Sequence, residues 1–117
     1  MKDYVLRDRT KAFALRIIRM YCLFPKSTEA QVLGKQALRA GTGVAANYRE
    51  ASRARSDAEL IAKLGIVAQE LDETLLWLEL LVESSIVSES KMADLRQEAD
   101  ELLRMTIAAI KTAKKRQ

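Results

Sequence analysis

The stretch between Ser56 and Ser84 constrains the fold most, because its apolar residues recur at intervals of three and four. Such spacing places side chains on one face of an α-helix, whereas a strand would need alternation. Ser56 and Glu59 have the spacing of a capping box, which marks a helix start. A long helix is therefore predicted from this box to about Ser84. Its inward face consists of Leu60, Leu64, Val67, Leu71, Leu75, Leu78 and Val82.

A first helix is predicted from about Asp3 to Cys22, because Pro25 disfavours helix in the residue before it. Its core-facing residues are Leu6, Phe13, Ile17, Met20 and Phe24.

A second helix is predicted to start near Ser27 or Thr28, where Thr28 and the glutamine three residues later have capping-box spacing, and to continue to about Arg55. Gly41 and Gly43 lower helix propensity in its middle, although small residues let another helix approach closely. A break at these glycines is an open alternative. The inward face contains Leu33, Ala37, Ala40, Val44, Tyr48 and Ala51.

A fourth helix is predicted to open near Ser88 and to end in a basic tail, where lysines favour the helix dipole. Its inward residues are Met92, Leu95, Ala99, Leu102, Thr106, Ile110 and Ala113. Short connections between long helices imply antiparallel neighbours. The predicted fold is thus a single all-α domain over residues 1–117, an up-down-up-down four-helix bundle.

The composition agrees with a compact helical protein of one domain. The 117 residues are 49% apolar and 31% charged, with four glycines and one proline. The amino-terminal residues are charged where a signal peptide would be apolar, and no stretch reaches the length of a membrane span. One cysteine suits a reducing compartment. We therefore expect a soluble cytoplasmic protein with no membrane partner.

Charge is unevenly distributed along the chain. Residues 1–55 hold 12 Lys/Arg against 4 Asp/Glu, residues 56–103 hold 3 against 12, and residues 104–117 hold 5 against none. Such segregation favours packing of unlike helices and leaves basic surface for an anionic partner.

Two helices carry apolar residues beyond those that a single core needs. If these residues were exposed to solvent, they would form an apolar patch that favours association. Burial against another copy of the chain is the usual way in which such a patch is covered. We therefore predict a homo-oligomer, with the alternative that the bundle covers these residues itself. The predicted interface residues are Leu15, Ile18 and Cys22 on the first helix, and Ile66, Trp77 and Leu81 on the third.

The sequence offers little catalytic chemistry. The chain contains no histidine, which excludes Glu-x-x-His metal sites and His-dependent nucleophiles. Glu70 and Glu73 could join Asn47 and Glu50 in an all-carboxylate site, but salt bridges to neighbouring arginines are the favoured interpretation. A non-enzymatic protein without cofactor or metal is predicted.

Basic residues form the remaining candidate site. Positions on the first and second helices and in the tail could meet phosphates, with each contact weakened by salt. The alternative is that these cations pair with the acidic third and fourth helices. The candidate nucleic-acid-binding residues are Arg16, Arg19, Lys35, Arg39, Arg49, Arg53, Lys114 and Lys115.

From Gln36 to Leu81 the chain reads QALRAGTGVAANYREASRARSDAELIAKLGIVAQELDETLLWLELL. This segment resembles the four helix bundle protein family, also called 23S rRNA-intervening sequence proteins or the S23 family, which is related to the accessory variability determinants of diversity-generating retroelements. The chain departs from the family pattern at Ala40 and Gly43, where the pattern has serines. Matching positions include Arg39, Gly41, Thr42, Asn47, Glu50, Lys63, Glu70, Glu73, Thr74 and Trp77.

The resemblance implies a left-handed four-helix bundle that assembles as a ring-like homopentamer. In the retroelement relatives it implies a basic surface that engages nucleic acid and a reverse transcriptase. It also implies that a polar network holds the second helix against the third through Asn47, Glu50, Glu70 and Glu73.

Together these observations predict an oligomeric bundle that binds RNA or DNA with little sequence preference. The alternative is a protein-interaction scaffold whose partner is another protein, such as a reverse transcriptase.

Overall fold

The computed structural model describes residues 3–117, with side chains from Val5 onward. Its helices are α1 (Asp3–Cys22), α2 (Thr28–Ala51), α3 (Asp57–Glu83) and α4 (Glu89–Lys115). They form a rod of 48 × 21 × 19 Å. Each helix packs against the next in the sequence, and α4 closes more sparsely against α1, so that α1 and α3 lie diagonally opposed. The predicted all-α four-helix bundle is confirmed.

Serine side chains start three of the helices. The Ser56 hydroxyl accepts a hydrogen bond from the Glu59 amide at 3.1 Å, as the capping-box spacing predicted. Ser88 caps α4 in the same way. The cap of α2 is Ser27 rather than Thr28, which is already helical. A serine oxygen of this kind satisfies an amide that has no partner within its own helix.

Helix α2 runs unbroken through Gly41 and Gly43, so the alternative of a break there is wrong. It ends at Ala51, short of the predicted end near Arg55. Ser56 is extended, with φ −153° and ψ 162°, and caps α3. Residues 52–55 connect α2 to the cap of α3.

The core follows the predicted inward stripes. Seven residues that were expected inside are only half-buried and pack against the edge of the core: Met20, Phe24, Leu33, Leu60, Leu75, Val82 and Ile110. The largest fully buried side chains are Phe13, Ile17, Val44, Leu64, Val67, Leu71, Leu78, Leu81, Met92 and Leu102. Within residues 3–117, no helix is long and apolar enough to cross a membrane.

Two glycines of α2 set the distance to α1. A β-carbon on Gly41 would lie 2.8 Å from Ile17 Cγ1, and one on Gly34 would lie 2.6 Å from the Tyr21 ring. Both distances are shorter than van der Waals contact, so a larger residue would push α1 away. Gly65 on α3 has no such neighbour within 4 Å.

We expect Gly41→Ala to destabilise the fold. The gain in helix propensity is outweighed by overpacking against Ile17, for a net loss of about 1–2 kcal/mol in the free energy of unfolding. Urea denaturation measures the effect. The matched control is Gly65→Ala, which has open space and should stabilise by up to about 1 kcal/mol. Equal effects of the two substitutions would contradict a close approach of α1 to Gly41.

Candidate functional site

The outward face of α2 carries an unpaired basic surface. Lys35, Arg49 and Arg53 are all exposed. None of them makes an ion pair with the described residues of the chain. We call these three residues the α2 basic face. Lys35 and Arg49 are fourteen residues apart and therefore lie on one side of α2, whereas Arg53 follows in the turn after the helix ends at Ala51.

Arg39, the fourth predicted cation of α2, differs from these three. Its guanidinium lies 3.3 Å from Glu73 Oε1 on α3 and also contacts Gln36 of its own helix. Both partners of this ion pair are more than one-third exposed, so it adds little stability. Of the predicted cations, Arg39 is the one with a carboxylate partner among the described residues.

On α1, Arg16 is half-buried and Arg19 is exposed, and neither is paired with a described residue. Arg9 lies seven residues before Arg16, on the same side of the helix. Since Arg9 bonds to α4, this side of α1 faces α4 rather than α2. The structure therefore does not merge Arg16 and Arg19 with the α2 basic face. At the end of α4, Lys114 and Lys115 are exposed and unpaired.

Arg9 is engaged within the fold. Its Nε donates to Glu98 Oε2 at 3.0 Å, and Nη2 also reaches Glu101 at 3.2 Å. Bonding to Glu98, opposed by burial and aided by Glu101, raises the pKa of Arg9. A fork of guanidinium donors on two carboxylates is a strong arrangement for an ion pair. Arg9 therefore links α1 to α4, the pair of neighbouring helices with the sparsest packing.

Two ion pairs cross between α2 and α3. Lys63 Nζ lies 2.9 Å from Glu50 Oε1, and this bond raises the pKa of Lys63. The second is the Arg39–Glu73 pair. Asn47 does not cross, since its side-chain amide donates to the Gly43 carbonyl of its own helix at 2.8 Å.

Glu70 is the perturbed carboxylate of this region. Burial, reinforced by neighbouring Glu73 and opposed by Arg39, raises its pKa above the ordinary value of 4.5. The carboxylate lies against the α-carbon of Gly43, where a β-carbon would collide with it. The glycine in mid-helix was the sequence signal for this close approach. Among the residues whose side chains are described, no group of three potential ligands converges as a metal site would require.

The residues predicted at an oligomer interface differ in their exposure between α1 and α3. On α1, Leu15 is 41% exposed, Ile18 is 38% exposed, and Cys22 is also exposed. On α3, Ile66 is 38% exposed.

Leu81 was wrongly predicted at this surface, because it is fully buried in the core. It lies three residues after Leu78 and shares that residue's inward side. Trp77 is half-buried against the core, and its indole N–H is buried with no acceptor among the described residues. Further exposed apolar residues that were not predicted are Leu23, Val32, Leu76 and Ile107.

Glu70→Gln should change how stability depends on pH. Because its pKa is raised on folding, the folded protein holds this proton to higher pH than the unfolded chain, so Glu70 lowers stability as pH rises from 4.5 through the raised pKa. The variant should be more stable than the parent at neutral pH, and the two should converge below a pH of about 4. Urea unfolding across pH measures this difference.

The control for this series is Asp72→Asn, which neutralises an exposed carboxylate on the same helix. Its unfolding curves should follow those of the parent. A constant difference between Glu70→Gln and the parent at all pH values would contradict a perturbed Glu70.

Comparison with known proteins places this geometry in a family. The model of the 23S rRNA-intervening sequence protein family matches residues 2–108. A crystal structure of a protein with unknown function from the S23 ribosomal protein family of Bacteroides thetaiotaomicron is similar, with 37% identity and a TM-score of 0.88. That match covers 95% of this chain and 99% of the other. No curated protein matches. With a four-helix bundle and a family match over most of its length, the chain belongs to the 23S rRNA-intervening sequence protein family.

Proposed function

We propose that this protein is a non-enzymatic, oligomeric helical bundle of the cytoplasm that binds RNA or DNA with little sequence preference. The observation that carries the proposal is the α2 basic face, where Lys35, Arg49 and Arg53 are exposed and lack carboxylate partners in the described chain. Cations that are not neutralised internally gain most from releasing counterions at a phosphate backbone. The family's name, which refers to ribosomal RNA, agrees with such a ligand.

Low sequence preference follows from the chemistry of this face. Recognition of single-stranded bases generally uses aromatic stacking platforms. The α2 basic face contributes guanidinium and ammonium groups, while the nearest tyrosine of the helix, Tyr48, is buried. Contacts of this kind bind the phosphate backbone and carry little sequence information.

We further propose that the chain assembles as a ring, with an up-down-up-down arrangement of helices. The pairing of Glu50 with Lys63, and of Arg39 with Glu73, supports opposite directions for α2 and α3. The exposed stripes lie on α1 and α3, which are diagonal in the bundle. Contact between different faces of neighbouring copies is heterologous and closes into a ring when the rotation allows it.

The resemblance to the family suggests five subunits in such a ring. Helix α2 lies between the two stripes, so its basic face would stay available in the assembly. Self-association and nucleic-acid binding would then use different helices of the same bundle.

A protein-interaction scaffold, with a partner such as a reverse transcriptase, is the second candidate. It is favoured by apolar residues outside the two stripes, since Val32 is 56% exposed and Ile107 is 41% exposed. Such residues suit contacts with another protein better than contacts with phosphates.

Replacing Arg49 and Arg53 by glutamate should weaken binding of a fluorescein-labelled RNA hairpin, measured by fluorescence anisotropy. Binding by the parent should fall steeply between about 50 and 200 mM salt, and the variant should show a shallower salt dependence, by about one phosphate contact for each residue. Circular dichroism checks that the variant remains helical.

The control is Lys26→Glu with Lys91→Glu, an equal change of charge at the opposite end of the bundle, on residues that are exposed and unpaired. It should retain most of the affinity. No binding by the parent at low salt, or equal losses in both double variants, would reject the α2 basic face and leave the scaffold as the better function.

Ile18→Lys combined with Ile66→Lys should dissociate the oligomer, because each places a charge in an apolar contact. Size-exclusion chromatography with light scattering should report the mass of several 13.2 kDa chains for the parent and a single chain for the variant. Ile107→Lys makes the same change on α4 and should leave the mass unchanged. A parent that is monomeric at micromolar concentration would rule out the ring.

A further inference from the structure

A cavity of about 700 Å³ opens at the end of the bundle where α1 begins and α4 ends. It lies beside the sparsely packed contact between α1 and α4, and small side chains face it from α2, the following turn and α4. These are Ala51 and Ala54 from α2 and its following turn, and Ala108 and Ala109 from α4. The volume falls in the range of small-molecule sites, which is about 300–1,000 Å³.

The lining of the cavity divides into an apolar wall and a charged rim. Leu6, Leu60 and Leu64 contribute to the wall. Leu60 belongs to the inward stripe of α3 but is only half-buried, and its place beside the cavity explains this exposure. The rim contains Arg55, Arg116 and Asp57, together with the Thr112 hydroxyl. A flat apolar group with an attached anion would match both parts.

The two arginines of the rim differ in whether they have a carboxylate partner. Arg55 is exposed, with neither a hydrogen bond nor an ion pair to the described chain. Arg116 is held by Asp57, whose Oδ1 accepts from Nη2 at 2.9 Å and from Nε at 3.2 Å. The Nη1 group of Arg116 remains free to donate. Arg55 therefore supplies an uncompensated charge, and Arg116 supplies a positioned donor beside it.

The charge at this end is positive on balance, since Arg55 and Arg116 outnumber Asp57 among the lining residues. Residues 108–117 contain four Lys/Arg and no Asp/Glu, so the end of α4 brings positive charge to the cavity mouth. Arg53 of the α2 basic face lies two residues before Arg55. A phosphate chain bound along α2 would therefore end beside the cavity.

We propose that this cavity binds one nucleotide, with its base against the leucine wall and its phosphate on Arg55 and Arg116. The nucleotide is either free or an unpaired or terminal unit of a nucleic acid bound along α2, and in the second form the inference rests on the proposed function. The guanidinium of Arg55 can contact the phosphate or the face of the base, and both are common modes for arginine.

Binding of AMP, adenosine and inorganic phosphate to the intact protein, followed by NMR or isothermal titration calorimetry, tests the site. AMP should bind more tightly than either fragment, since only AMP uses both the wall and the rim. Arg55→Gln should weaken AMP binding about tenfold, the value expected for the loss of one charged hydrogen bond. Arg104→Gln is the control, an equal charge change on an exposed residue of α4 that does not line the cavity.

A second variant, Ala108→Phe, fills the cavity from an exposed position of α4 and should abolish binding of AMP and adenosine alike. Absence of AMP binding at millimolar concentration, or equal binding by Arg55→Gln and the parent, would overturn the proposal.

Competition separates the two sources of the nucleotide. If the cavity holds a unit of a bound nucleic acid, saturating AMP should weaken binding of the RNA hairpin to the parent. Hairpin binding without AMP binding would reject the cavity and keep the α2 basic face. AMP binding without hairpin binding would support the cavity as a site for free nucleotides and reject the proposed function.

Discussion

The close approach of α2 to both of its neighbours is the constraint on which the rest of the structure depends. Gly34 and Gly41 bring α2 against α1, and Gly43 receives the Glu70 carboxylate of α3. A β-carbon at any of these positions would meet an atom of the neighbouring helix. The entropic disadvantage of glycine within a helix is therefore offset by packing on two sides. With α2 set between α1 and α3, these two helices become diagonal in the bundle.

This arrangement distributes different chemistry to different sides of one rod. The inward stripes consist mainly of apolar residues, whereas Lys35 and Arg49 of α2 and Arg53 of the following turn are exposed. The exposed apolar residues of α1 and α3 flank that basic face. The surfaces proposed for self-association and for an anionic partner therefore lie on different helices.

The contact between α1 and α4, the most sparsely packed pair of neighbouring helices, lies beside the cavity at the end of the bundle. Arg9 links α1 to α4 through Glu98 and Glu101, while nearer the end of the bundle Ala108 and Ala109 of α4 face the cavity. An ion pair can hold two helices at one level and still leave space where side chains are short. The cavity at the end of the bundle results from this combination. Its charged rim comes from the turn between α2 and α3 and from the last residues of α4.

Local features of the structure could be predicted from the sequence alone. The spacing of Leu64, Leu71 and Leu78 specifies a helix and its inward side, and Ser56 specifies where that helix begins, because both depend on neighbours within a few residues. The ion-pair partners of charged groups could not be predicted, because they lie far apart in the sequence. Arg9 and Glu98 are 89 residues apart, and Arg116 and Asp57 are 59 apart.

The same limit applies to burial at the edge of a stripe. Leu81 lies inside the core although it was assigned to the surface, since its burial depends on where the adjacent helices are placed. Periodicity assigns a side of a helix. Packing decides how far the neighbouring helices cover that side, and which cations remain free to meet a partner.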